Sequence, residues 1–125
     1  MAKKVVKSGS DMLAEIIIKG IQEKKGKEIV CLNLKEIHNA VCDYYIICHG
    51  NSSTQVNSIA DSVDYEVKKA IGINPWHKEG VQNAEWILID YADVVVHIFQ
   101  EETRDFYQIE KLWADAETTL IKSDY

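Results

Sequence analysis

The stretch Gly50-Asn51-Ser52-Ser53 falls where a strand hands over to a helix. Phosphate often binds at such a turn, because free backbone N–H groups and the helix dipole both point at the anion. The stretch has a single Gly, however, and fits neither G-x-G-x-x-G nor the Walker pattern. As structure it needs only Gly50 to make the turn and Ser52 with Gln55 to form a capping box. Metal-assisted nucleotidyl transfer would require carboxylates gathered on a rigid element to hold Mg²⁺. The nearest candidates, Asp61 and Asp64, lie at i, i+3 on the polar side of a helix, where Asp64 can pair with Lys68. A solvated helix face accounts for both.

His38, His49, Cys42 and Cys48 have no familiar zinc-ligand spacing, and the two cysteines bracket a strand rather than a knuckle. Core or loop roles suit them better. His97 is flanked by apolar residues and no Ser or Cys motif offers it a nucleophile, so a hydrogen-bonded strand histidine is expected there. The aromatic residues say more. Trp76, Trp86, Tyr91, Phe106, Tyr107 and Trp113 are mixed with Glu79, Asp90, Asp93, Glu101, Glu102 and Glu110. Trp86 and Phe106 are assigned to the core. Tyr91 is placed at a hairpin tip and Tyr107 on a different side of its helix from Phe106. Exposed aromatics among acids fit a protein–protein contact, where aromatic anchors supply much of the energy.

The elements that must position these residues centre on residues 86–99. Two apolar, β-branched arms flank the acidic turn Asp90-Tyr91-Ala92-Asp93, as in an antiparallel hairpin. The unalternating Val94-Val95-Val96 implies a strand covered on both faces. Leu13, Ile16, Ile17 and Ile21 define a first helix, with Ser10 as its N-cap and Gly26 as its stop. Residues 29–34 and 43–48 read as strands. Val56, Ile59, Ala60, Val63, Val67, Ala70 and Ile71 then make one helical stripe ended by Gly72. Residues 76–78 suggest a short edge strand, and Phe106, Ile109, Trp113, Ala116 and Leu120 a last helix. The second helix permits a crossover within the sheet. Together these predict an α/β domain, a mixed sheet of about five strands packed by helices.

Composition bounds the function. The chain has 125 residues, 46% hydrophobic, enough for one core. The organisation expected is a flexible N-terminus over residues 1–9, one domain over 10–120 and a frayed end over 121–125. No apolar run could span a bilayer and no signal-peptide core is apparent, so a cytoplasmic protein is expected. A net charge of -6 argues against binding nucleic acid directly and suits a basic protein partner. Three cysteines without a C-x-x-C pair read as reduced thiols.

The residues also match a known pattern. Asp43-Tyr44-Tyr45-Ile46-Ile47-Cys48-His49-Gly50-Asn51-Ser52, Ser58-Ile59-Ala60-Asp61, Glu79-Gly80, residues 86–99 and residues 101–113 resemble the ribosomal silencing factor family, also called Iojap-like proteins. The resemblance runs from Ser10 to about Ala116. It implies a nucleotidyltransferase-like fold without the catalytic carboxylates, hence no enzyme activity, catalytic residue, metal or cofactor. It further implies docking on the large ribosomal subunit through a basic protein, the fourteenth of that subunit. Docking there would block joining of the small subunit and repress translation under nutrient limitation. The free protein could be a homodimer. Within that neighbourhood, exposure and chemistry select Glu79, Asp90, Tyr91, Asp93, Tyr107, Glu110 and Trp113 as contact residues. Two positions depart from the pattern. Ala92 stands where the family usually has Gly, and would be strained if the turn needs φ > 0. Cys42 replaces a small Ala or Thr. The rival from another class is a nucleotide-binding or nucleotidyl-transferring enzyme using the Gly50 turn, and a scaffold dimer is a third reading.

Overall fold

The computed structural model describes residues 9–123 and 125. The flexibility expected of the first eight residues lies outside these, and Gly9 belongs to the first helix. Two helices pair on one side of the sheet. In α2 (Ser53–Ile71) the apolar stripe buries Val56, Ile59, Ala60, Val63 and Val67. Its ends follow the sequence signals: the Ser52 side chain accepts the Gln55 N–H, and Gly72 at φ 71° closes the helix by donating to the Lys68 carbonyl. In α1 (Gly9–Glu23) Leu13, Ile17 and Ile21 are buried. Ser10 lies inside this helix rather than capping it, and its hydroxyl donates to Asp43 at 2.7 Å. The stop comes one residue before the expected Gly26, at Lys25 with φ 59°. Gly20 lets the two helices approach closely, since a Cβ there would sit 3.1 Å from the Val63 backbone, and the Ser62 hydroxyl donates to the Gly20 carbonyl at 2.7 Å.

Among the described residues six strands form the sheet, against the five or so expected: β1 (Lys27–Asn33), β2 (Tyr44–Gly50), β3 (His77–Glu79), β4 (Trp86–Asp90), β5 (Val94–Gln100) and β6 (Glu117–Leu120). Their order is β3-β4-β5-β2-β1-β6. β2 and β5 run parallel, joined by the crossover through α2, while the other pairs are antiparallel. Val94 to Val96 are buried on both faces, as their lack of alternation implied.

The predicted last helix does not form as one element. A short helix α3 (Glu101–Tyr107) ends at Gln108 with φ 45°, a 3-10 helix covers Ile109–Trp113, and the chain then extends into β6. The left-handed Gln108 breaks the helical period. The β-branched Thr118 and Thr119 then pair with β1, which would otherwise leave a long edge unsatisfied.

Candidate functional site

Period two along β4 and β5 sorts the hairpin into two faces. Ile87, Ile89, Val94, Val96 and Ile98 join the cluster under α1 and α2. Trp86, Leu88, Val95 and Phe99 turn the other way, where cover is thinner. That second face is covered by α3, the 3-10 helix and residues of the β1–β2 connection such as Leu34, Ile37 and Cys42.

The alternation also decides Tyr91. It continues the series Ile87, Ile89, so its side chain enters the helix-side core with 5% of its surface exposed. Its hydroxyl donates to Asp64 at 3.2 Å, and burial followed by the Asp64 charge raises its pKa. This corrects the expectation of an exposed aromatic at the hairpin tip. Asp64 is also paired with Lys78, not with Lys68, whose ammonium goes to Asn74. Asp64 thus ties α2 to β3 and to the hairpin tip, while Asp61 remains exposed.

At the tip itself, Ala92 has φ 74° and the Asp93 N–H donates to the Tyr91 carbonyl two residues back at 2.9 Å. Those features describe a γ-turn of the rare positive-φ kind. The Asp90 carboxylate stabilises it by accepting the Ala92 N–H at 2.7 Å. The Asp93 carbonyl accepts from Asp43 and Tyr44, so the tip is bound to the start of β2. Asp93 is exposed and Asp90 half-buried.

Around Trp86 the aromatic residues form a continuous set. Its ring lies 5.0 Å from Tyr107 and 4.8 Å from Phe99 between centroids, and its indole N–H donates to His97 Nδ1 at 3.1 Å. His97 is 4% exposed, and loss of solvent holds its pKa down at about 4. It is therefore a neutral acceptor at Nδ1, and its buried Nε2 has no partner among the described residues. Tyr45 packs edge-on to His97 at 4.7 Å and to Trp113 at 5.7 Å. Trp113 is thus half-buried on Tyr45.

Outside this set lies a groove of about 550 Å³ lined by Gly80, Asn83, Glu85, Trp86, Glu102, Thr103, Phe106 and Tyr107. Phe106 is 79% exposed and Tyr107 52%. Phe106 was assigned to the core and is not there. In a helix as short as α3 the inward position goes instead to Arg104, which is buried. Its guanidinium donates to Glu110 at 3.0 Å and lies 3.0 Å from His49 Nδ1, which pins the 3-10 helix and takes Glu110 into an internal ion pair. Burial and the neighbouring Arg104 lower the His49 pKa. Gly80, at φ 82°, has the Trp86 carbonyl where a Cβ would stand, so the groove wall closes only with glycine. Glu79, on β3, is exposed and reaches His77 at 2.9 Å.

The structure therefore gathers Trp86 and Tyr107 at one groove beside β3, which carries Glu79. Asp90 and Asp93 stand at the hairpin tip, Glu110 and Trp113 serve packing contacts, and Tyr91 is internal. Phe106 was overlooked as a surface residue, while Trp86 packs against the buried cluster as expected and also lines the groove. For that groove position of Trp86 the signal was its alternation with Ile87 and Ile89.

The other candidates have structural work. In the Gly50 turn the Asn51 N–H goes to Gln55 Oε1 at 2.7 Å and the Gln55 N–H to Ser52. Among the described residues, no three His, Cys, Asp or Glu side chains converge as a metal site. The Cys42 thiol is pushed up to about 11 and the Cys48 thiol to about 12, both mainly by burial.

Fold and site together define a small mixed-sheet α/β protein with one face sealed by two helices and the other partly open. The chain belongs to the ribosomal silencing factor family: residues 7–124 match the family model described as "Ribosomal silencing factor during starvation". It is 42% identical to the ribosomal silencing factor RsfS of Halalkalibacterium halodurans, over 88% of this chain and 92% of that one. The RsfS of Bacillus subtilis is 38% identical over 83% and 86%. A crystal structure from Chromobacterium violaceum superposes with a TM-score of 0.80 at 30% identity, covering 94% of this chain and 97% of that one.

Proposed function

We propose that this chain is a non-enzymatic silencing factor that docks in the cytoplasm on the large ribosomal subunit. The contact is with its basic fourteenth ribosomal protein, and the bound factor blocks joining of the small subunit, lowering translation when nutrients run short. The observation that carries the reading is the groove at Trp86, where exposed Phe106 and Tyr107 stand beside Glu85 and Glu102. Aromatic rings give a docking partner apolar area and a face for cations, and the carboxylates attract basic side chains. Family membership supplies the ribosome as the target. Glu79 and Asp93 extend the acidic rim, which would speed and orient encounter more than it would slow release. Repression is then steric and stoichiometric, because a bound domain excludes the small subunit without chemistry.

The test uses purified subunits on a sucrose gradient. Added protein should co-sediment with large subunits and reduce joined ribosomes in proportion to its amount. Joining that proceeds unchanged with the protein absent from the large-subunit peak would overturn the proposal.

A further inference from the structure

The two edges of the sheet are built differently. β3 is three residues long, has Lys78 at its centre and is followed by Gly80 at positive φ. These are features that discourage further strand pairing. β6 is also short, at four residues, but it has no Lys, Pro or Gly within it: Glu117, Thr118, Thr119 and Leu120 are all exposed. Its bonds to β1 follow from the register Val30↔Leu120 and from the Ile121 N–H donating to the Ile29 carbonyl at 2.9 Å. Residues alternate along an antiparallel ladder, so 117, 119 and 121 bond inward and Thr118 and Leu120 turn N–H and C=O outward.

A cleft flanks this edge on each face of the sheet. One, of about 480 Å³, is lined by Glu28, Arg104, Asp105, Glu110, Lys111, Leu120 and neighbours. Arg104 and Glu110 neutralise each other, which leaves Glu28 and Asp105 against Lys111. The other, of about 390 Å³, has Ala14, Ile18, Cys31 and Ile121 as an apolar floor and Glu117 at its rim.

From this arrangement we infer that β6 is a docking edge for an extended basic polypeptide, which adds to it as a seventh strand. Thr118 and Leu120 supply the backbone bonds. Alternate side chains of the incoming strand fall into the two clefts, which is the usual division between affinity and specificity in strand addition. Lysine or arginine suits both, with Glu28 and Asp105 on one face and Glu117 on the other. Apolar stems of those side chains cover Leu120 on one side and Ile18 on the other. This edge is at the opposite end of the strand order from β4 and the Trp86 groove, so it is independent of the proposed ribosomal contact.

The probe is a fluorescent peptide, acetyl-TKKVKKT-amide, which presents lysine on both faces of an extended strand, titrated into the full chain at low salt and followed by anisotropy. Acetyl-TEEVEET-amide is the control. The basic peptide should bind and the acidic one should not. Thr118→Pro removes an outward N–H while sparing the inward bonds of 117, 119 and 121, and should weaken binding roughly tenfold with the melting midpoint unchanged. If that variant melts early, the paired reversals Glu28→Lys and Glu117→Lys, both at exposed positions, give the same test and should also weaken binding roughly tenfold. Absence of binding, equal binding of the acidic peptide, or full affinity in the variants would overturn the inference. So would sedimentation as a dimer abolished by Thr118→Pro, since a second copy would then be the occupant.

Discussion

On the α1 and α2 side of the sheet, Ile17, Ile21, Ile46, Ile59, Ile87 and Ile98 are shut off from solvent. The opposite side of the same strands carries Tyr45, Trp86, Leu88 and His97, packed by two short helices and a connection. Both faces are apolar, and the first admits Tyr91 and Tyr44, yet the second packs Tyr45, Trp86, Phe99 and Trp113 together with an imidazole and an Arg–Glu pair. Shape-matched aliphatic residues give cohesion. Aromatic and polar ones give oriented groups that a partner can meet. Stability rests mainly on the first face, and the proposed recognition falls to the second.

The largest effect should therefore come from Ile59→Ala on the helix face. Ile59 is fully buried. Truncating it should cost roughly 2–5 kcal/mol in a urea titration, with docking by the surviving folded protein unchanged. A loss no larger than that of a surface substitution would refute the division of labour.

His97 tests the second face by pH. Its folded pKa is held down at about 4 by burial, against 6.5 for a free histidine. Between those values the unfolded chain binds a proton that the folded chain does not, so stability rises with pH through this window. Acidifying from neutrality should remove up to roughly 3 kcal/mol by about pH 4 and nothing further below. Carboxylates titrate there too, so the measurement is the difference between the native chain and His97→Phe. The variant should lose the histidine part of the slope. It should also shift Trp86 emission, because the indole N–H loses its acceptor. Parallel pH profiles would show that His97 is not held neutral.

Tyr107→Ala should separate recognition from stability. With half its surface in solvent, the side chain should contribute only about 0.5 kcal/mol to folding. Under the proposed function its loss should weaken docking on large subunits by roughly tenfold, about 1.4 kcal/mol. Phe106→Ala should behave alike. Unaltered docking in both would move the contact away from the Trp86 groove.

Much of the sealed face was legible in the sequence. The α2 stripe, its Ser52 cap and its Gly72 stop are local signals, and so is the both-faces burial of Val94 to Val96. The open face was harder to read. Phe106, Ile109, Trp113, Ala116 and Leu120 keep a helical spacing, but a single left-handed residue, Gln108, and the pairing demand of a distant strand divide the segment. Tyr91 could have been placed by carrying the alternation of β4 one residue further. Arg104 could not, because its partners His49 and Glu110 meet it only after β2 and the 3-10 helix are in position.

The smallest effect belongs to Ala92, in the turn that joins β4 to β5. At φ 74° its Cβ is strained in a way that glycine avoids, and the strain is local to one peptide. Ala92→Gly relieves it, although glycine also widens the unfolded ensemble, which cuts the benefit. The net gain should be about 1 kcal/mol or less, read as a small rise in melting midpoint. Because the turn is held by backbone bonds and by Asp90, the change should leave both the His97 pH slope and the Tyr107 docking defect where they were. A gain in stability accompanied by altered docking would show that the tip is coupled to the open face, and the boundary between the two regions would then run through this turn.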